Sequence, residues 1–392
     1  MRICIVGAGI AGCHAAFDLA ADHDVTVLDR VGIAAEATGY SAGLVAPTQY
    51  YPDRPAIARH ANGFFADFDG SHGFEFTERD RLDVMTDEEA ETARSTAAKL
   101  ADAGFPVDYF ETDEISDRYP RIRPDDFAGA VRYGDTGWVD PYTYATALKA
   151  AAEVDGAAFE IGVEVEDVRL GRSDDHAVRT DDHAVRTDDH VIRTDDGRYE
   201  ADAIVLAAGW RTRDLLPGDL EVPIRPYRTQ CVVLEPETPL EDSTPTGRIG
   251  SEHLYFRPEH NGDLLIGGAH DTIADPRTAS TDADESFTLD VAGFAPTFFE
   301  GFDDAGFLNG WAGVDTASPD TRPIIDSPVG APDSLVVATG FNGLGVMTSP
   351  VVGPTVRQRL TGEPAPFPAE TFAADRFDDV GTDFEYVSTS EV

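Results

Sequence analysis

Apolar residues in this chain cluster in short dense runs rather than in long amphipathic stretches. ICIV at 3–6, VTVL at 25–28, AIVL at 203–206 and LVVA at 335–338 are four residues long and apolar almost throughout. Such runs read as strands buried on both faces, as in a parallel sheet covered on each side. Residues 10–20 predict a helix between the first two runs. A different pattern holds at 225–234, 253–258 and 263–267, where strand-type segments are separated by turn residues such as Asn261-Gly262. These predict an antiparallel sheet.

The junction between the first strand and the helix carries the chemistry. Gly7, Gly9 and Gly12 follow the ICIV run as G-x-G-x-x-G, enclosing Ala8, Ile10 and Ala11, and the VTVL run closes on Asp29 and Arg30. In this strand–turn–helix–strand context Gly7 allows the tight turn, Gly9 lets backbone N–H groups approach a pyrophosphate at the helix start, and Gly12 lets helix and strand pack closely. Asp29 suits the ribose hydroxyls of an adenosine, and an acid there argues against a 2′-phosphate. The runs at 203–209 and 335–345 also end in small residues, Ala208-Gly209 and Gly340 to Gly345. Three such segments predict an α/β chain with a discontinuous Rossmann-like dinucleotide-binding domain built from 1–60, 140–220 and 323–362. Residues 61–139 and 221–322 are read as an α+β substrate domain with the antiparallel sheet. Residues 363–392, rich in proline, alanine and acids, are read as an extended acidic surface tail.

Composition narrows the partners. The 392 residues carry a formal net charge of −43, and Lys99 and Lys149 are the only lysines. Nucleic acid is therefore an unfavourable partner. Acids spread over the whole chain point to a high-salt organism, where short screening lengths relieve the self-repulsion, rather than to one acidic docking face. Cys4, Cys13 and Cys231 lack metal-ligand or C-x-x-C spacing, which fits a reducing, cytoplasmic setting. No charged leader precedes the first run and no apolar stretch approaches the ~20 residues of a membrane span, so the chain is expected to be soluble.

A tandem repeat stands out: DDHAVRT at 174–180 and 181–187, then DDHVIRT at 188–194. A seven-residue copy would turn a strand's faces over, but two extra copies add an even number and restore the alternation leading into Ala203. His176, His183 and His190 have ligand chemistry, yet a looped or extended hairpin explains them more simply, and no metal site is assigned.

At this point the chain resembles the FAD-dependent amino-acid oxidase and dehydrogenase superfamily, which includes D-amino-acid dehydrogenases, glycine and sarcosine oxidases, and proline and dimethylglycine dehydrogenases. The resemblance spans roughly 1–362. ATGYSAGLVAP at 37–47, with Ser41, Ala42, Gly43 and Leu44, resembles the segment that passes the diphosphate and reaches the flavin. GDTGWVDPYTYATALKAAAEVDGA at 134–157 and GVEVEDV at 162–168 follow in order, the latter placing Val165 by the adenine. AAGWRTRDLLPG at 207–218 includes Trp210. YFRPEHNGDLLIGG, WAGVDTASPDTRPIID and GFNGLGVMTSPVVG complete the pattern, the last with Gly340, Phe341, Asn342, Gly343, Leu344, Gly345 and Val346. The resemblance implies non-covalent FAD in a Rossmann-like FAD/NAD(P)-binding domain, with its ring at the junction with the substrate domain. It implies oxidation of a CH–NH or CH–NH2 bond of a small amino or imino acid, by hydride transfer to the flavin and without a dedicated side-chain base. The electron acceptor stays open between oxygen, a quinone and a protein carrier.

The departures lie on the substrate side. Asp315 stands where similar amino-acid oxidases use a carboxylate-clamping arginine, and Met347 where sarcosine oxidases place a lysine. A clamp from elsewhere would draw on Arg257, Arg54 or Arg322, because a planar guanidinium suits a carboxylate. Tyr255 is read as either a substrate contact or a packed strand aromatic. Trp311 is read as core, Asp320 as a turn residue orienting Arg322, and His14 as structural. The loss of two cationic handles leaves a second reading: a flavoprotein with reduced catalysis that serves as an assembly or scaffolding factor. A third, action on modified tRNA, is disfavoured by the charge.

Overall fold

The computed structural model describes residues 1–171 and 189–389. The four apolar runs become the heart of a six-stranded sheet. Its order is Ile324–Asp326, Leu335–Thr339, Ala203–Leu206, Arg2–Val6, Asp24–Asp29 and Ala158–Ile161, parallel except for the Ile324–Asp326 edge. Period-two alternation splits the central strand between two cores. Ile3 and Ile5 join the core shared with helices Ile10–Leu19 and Val352–Thr361. Cys4 and Val6 pack instead with Val165, Val168 and Ile192 of a three-stranded antiparallel sheet on the opposite side. Burial on both faces is why the runs lack polar interruptions. Where the helices meet, a Cβ at Gly353 would lie 2.4 Å from the Asp18 Cβ.

The second layer is an eight-stranded sheet ordered Gly306–Ala317, Arg225–Glu235, Leu264–Thr272, Leu254–Pro258, Thr246–Ile249, Arg81–Met85, Gly129–Tyr133 and Val107–Phe110. It is antiparallel at every junction except that between Thr246–Ile249 and Arg81–Met85. One face buries Leu82, Val84, Val232, Phe256 and Ile266 against helix Glu285–Phe298. The opposite face holds a cross-strand row, Trp311, Cys231, Gly267, Tyr255, Arg248 and Asp83, each directly opposite the next. Tyr255 and Arg248 of this row line the cleft described below.

Two sequence expectations change. Residues 174–188 of the repeat lie outside the described residues, so His176 and His183 do too. The rest of the third copy forms His190–Thr194, the middle strand of the three-stranded sheet. His190 is buried there, its Nδ1 accepting from the Gly171 N–H at 3.0 Å and its Nε2 facing Ser334 Oγ at 2.8 Å. The 363–389 segment is not an extended surface tail. Phe367 and Phe372 enter the nucleotide-side core, and Arg376 pairs with Asp320 at 2.9 Å. Farther on, the Phe384 carbonyl accepts from Arg225 and Tyr386 packs on Tyr227 with ring centroids 4.9 Å apart. Proline and acids dominated its composition, but a few buried aromatics and polar ties dock it.

Candidate active site

The carboxyl ends of the parallel strands open into a cleft of about 1780 Å³, solvent at its mouth included, that continues onto the row-bearing face of the eight-stranded sheet. Its lining runs from Gly7 and Asp29 at one end to Arg248 and Tyr255 at the other, an elongated shape that suits a long ligand.

At the nucleotide end Gly7 turns with φ +109°, its would-be Cβ 2.3 Å from the Ala207 carbonyl oxygen. A Cβ at Gly12 would sit 1.9 Å from the Gly7 carbonyl oxygen. Gly9, Ile10 and Ala11 line the cleft at the start of helix Ile10–Leu19, which has no side-chain bond from its N-cap residue Gly9. The Ile10 N–H is taken by Thr38 Oγ1 at 3.0 Å. Asp29 lines the cleft while its Oδ2 accepts from the Ala8 N–H and its Oδ1 from those of Val31 and Gly32, each at 2.8–2.9 Å. The same carboxylate thus holds the glycine turn and lines the cleft. Arg30 pairs with Glu36, which also accepts from the Trp210 indole at 3.2 Å. Ser41, Ala42, Leu44, Val165, Ala208 and Gly209 line the walls, and Phe341, Gly343, Leu344, Gly345, Val346 and Met347 the far side. Ala8, Gly12, Gly43, Gly340 and Asn342 are not among the lining residues; they shape the turns behind it. Asn342, at φ +53°, accepts from the Ser318 N–H and ties this turn to the neighbouring strand.

At the other end stand Tyr50, Arg81, Thr229, Arg248, Tyr255, His270 and Asp315. Tyr255 lies across Gly267, where a Cβ would approach its ring to 2.2 Å, and its hydroxyl reaches Cys231 Sγ at 3.5 Å. Burial pushes the Tyr255 phenol well above its ordinary value and the Cys231 thiol up to about 11. Both stay protonated near neutral pH. Burial likewise takes His270 down to about 4, leaving a neutral imidazole whose Nδ1 meets Ser388 Oγ at 3.0 Å. Burial raises the Asp315 carboxyl, opposed by the N–H groups of Thr316 and Gly343 and by the Tyr227 hydroxyl. Those contacts, at 2.7, 2.7 and 3.3 Å, make Asp315 a brace for the 343–345 turn.

None of the three clamp candidates lines this cleft. Arg257 is buried, donates to the Ala42 carbonyl at 2.6 Å, pairs with Glu259 at 3.0 Å and stacks on Trp138. It holds the 41–44 segment against the sheet. Arg54 pairs with neighbouring Asp53, to which Arg322 also reaches at 3.5 Å. Asp320 accepts from the Arg322 N–H, as a turn residue should, and the Trp311 indole donates to the Tyr40 carbonyl at 2.9 Å. His14 is structural: burial lowers it to about 3, and its Nε2 meets the Tyr144 hydroxyl at 2.5 Å.

The profile of the FAD dependent oxidoreductase family, DAO, spans residues 2–359. The chain belongs to this family. Glycine oxidase of Pseudomonas putida is 26% identical to the oxidoreductase over 388 residues, covering 94% of this chain and 98% of that protein. D-amino acid dehydrogenase of Cereibacter sphaeroides is 23% identical, covering 88% of each. Among solved structures, glycine oxidase from Geobacillus kaustophilus superposes with a TM-score of 0.82 at 22% identity, covering 97% of this chain and all of that one. L-proline dehydrogenase from P. horikoshii has a TM-score of 0.82 at 20% identity, covering 96% and 97%.

FAD is the family's cofactor, and the residues present fit it. A Cβ at Gly209 would meet no atom within 4 Å, and at Gly9 only Thr38 Oγ1 at 3.3 Å, so bare backbone faces the open cleft. Gly9 to Ala11 would hold the diphosphate, Asp29 the ribose, Val163 and Val165 the adenine, and the 343–347 turn the ring. Sequence reasoning missed Thr38, Tyr50, Arg81, Thr229, Arg248 and His270. One signal was available for Arg81: RLDVM alternates charges with apolar residues, marking a strand with one polar face.

Proposed function

We propose that the oxidoreductase oxidises the carbon–nitrogen bond of a small amino or imino acid, of the glycine, sarcosine, proline or D-amino-acid type. The observation that carries this reading is the continuity of one cleft from the Asp29 ribose position to the polar face of the eight-stranded sheet. A cofactor lying along the first half would present its reactive end to a ligand lying on the second. When bound, FAD accepts a hydride from the carbon next to nitrogen, and the resulting imine is hydrolysed by water. This chain's residues bind, orient and exclude water. Tyr255 and Met347 wall the site, while Asp315 sets the 343–345 turn and leaves its own charge engaged. Tyr255 and Cys231 keep their protons, so no general base is assigned and the substrate amine must arrive neutral. The names of the glycine oxidase and D-amino acid dehydrogenase relatives support the substrate class.

The test is anaerobic bleaching of the protein's visible flavin absorption in concentrated KCl by D- and L-amino acids, proline, sarcosine, dimethylglycine and simple amines. Rapid bleaching by one class supports the reading, and admitting air then separates oxidase from dehydrogenase. Bound flavin that no compound reduces favours the scaffolding alternative, for which Asp315 and Met347, in place of two cationic handles, are the specific observation.

A further inference from the structure

The family profile ends at residue 359, yet a segment well beyond it returns to the cleft. Residues 384–389, in neither helix nor strand, pass over the ends of strands Arg225–Glu235 and Leu264–Thr272. Successive contacts hold them there. The Phe384 carbonyl accepts from Arg225 at 3.1 Å, the Tyr386 ring lies 4.9 Å from that of Tyr227, Ser388 Oγ meets His270 Nδ1 at 3.0 Å, and Thr389 Oγ1 donates to the Asn342 carbonyl at 3.0 Å. Ser388 and Thr389 are buried. The last contact brings Thr389 to the cleft, which it lines together with His270, Asp315, Gly343 and Met347. Its Oγ1 would lie 3.7 Å from a Cβ at Gly343, whose N–H goes to Asp315. Thr389 thus stands between the 343–347 turn, where the flavin ring would lie, and His270. A hydroxyl has one proton to donate. With that proton given to Asn342, Thr389 presents volume and no charge.

We infer that the C-terminal segment walls the substrate site beside the flavin ring position, and that Thr389 is the specificity-determining residue there, limiting the substrate to a short, uncharged substituent. The inference rests on the proposed oxidation of a small amino or imino acid in this cleft. The wall is fixed rather than yielding. It is attached to two strands and to the 342–343 turn, so bulk added at 389 goes into the cleft instead of pushing the segment away. Packed side chains give little ground to an extra methylene. A snug apolar pocket accordingly discriminates a single methylene by on the order of tenfold or more. Because the segment lies outside the family profile, this limit is a property of the present chain and is set apart from the glycine turns that would hold the cofactor.

The experiment uses the FAD-loaded full chain carrying Thr389→Cys, with methyl and benzyl methanethiosulfonate as probes. Cys4, Cys13 and Cys231 are buried, so the new thiol is the one expected to react. Labelling is expected to shift the flavin absorption, more with the benzyl group than with the methyl, while FAD stays bound. A thiol that does not react, or a labelled protein with the parent's flavin spectrum, overturns the inference. So does loss of FAD on labelling, which would put Thr389 in the cofactor's space. No substrate enters this measurement. A spectral shift in a protein whose flavin no amine bleaches therefore upholds the wall while removing the oxidation reading. Where a homologous series of amino acids does bleach it, Thr389→Phe should lower kcat/KM on the order of tenfold more per added methylene than the parent does, and Thr389→Ala should flatten the series. Thr389→Val, which keeps the volume and removes the hydroxyl, should preserve the parent's ranking. Equal losses along the series in Thr389→Phe would mark a structural residue and overturn the size limit.

Discussion

Single residues in this protein act through the space and protons they exclude. Gly9 faces the cleft with nothing but Thr38 Oγ1 within 4 Å of a would-be Cβ. Gly9→Val is expected to fold and to lose FAD, because its side chain takes the volume of the diphosphate; flavin retained through gel filtration would refute the assignment. Gly267 has the opposite geometry, its would-be Cβ falling on the Tyr255 ring. Gly267→Ala is expected to displace Tyr255 from the cleft and lower turnover at least tenfold without a matching loss of FAD, and a stopped-flow reduction rate at saturating substrate checks it. His14 supplies a pH dependence. Its folded value is about 3, against ~6.5 unfolded. Between these values the unfolded chain binds the extra proton. Stability is therefore full above pH ~6.5 and falls as pH drops, by up to about 1.4 kcal/mol per unit from this group. Urea unfolding of His14→Gln should show a shallower loss than the parent between pH 6.5 and 5; equal slopes would exclude the effect.

Elements show where sequence patterning succeeds and fails. The apolar runs were legible because a strand buried on both faces has no polar positions to dilute the signal. Segments 225–234, 253–258 and 263–267 were legible from turn residues between them, and became Arg225–Glu235, Leu254–Pro258 and Leu264–Thr272. Strands Arg81–Met85, Val107–Phe110 and Gly129–Tyr133 were not singled out. Their polar members, Arg81, Asp83, Asp108 and Arg132, resemble surface residues until the sheet pairs them. The 363–389 segment misled for a related reason, since composition averages over thirty residues and docking depends on a few of them. Phe372 is fully buried, edge-on to Tyr51 and Phe367. Phe372→Ala is expected to cost about 3–5 kcal/mol, measurable as a lowered denaturant midpoint. A change under 1 kcal/mol would mean that the segment is not docked in solution.

For the whole molecule the governing quantity is charge. A net −43 over 392 residues opposes compaction in dilute salt, and the Debye length falls to about 3 Å at 1 M. The melting temperature is expected to rise steeply with KCl; a salt-independent melt would remove the high-salt reading. No helix among the described residues is long and apolar enough to cross a membrane. By itself the sequence determined the nucleotide half of this protein. Binding there depends on backbone geometry over a few contiguous residues, and glycine spacing encodes such geometry directly. Tertiary structure alone decided the other half of the cleft. Arg81, Thr229, Arg248, Tyr255 and His270 lie on separate stretches of chain, and they meet only because strand register sets them on one face of one sheet. Arg257 shows the reverse: an arginine in a promising motif is turned to a structural task by the carbonyl of Ala42 and the carboxylate of Glu259. Charge and hydrogen-bonding capacity are properties of the residue, but their direction is a property of the fold.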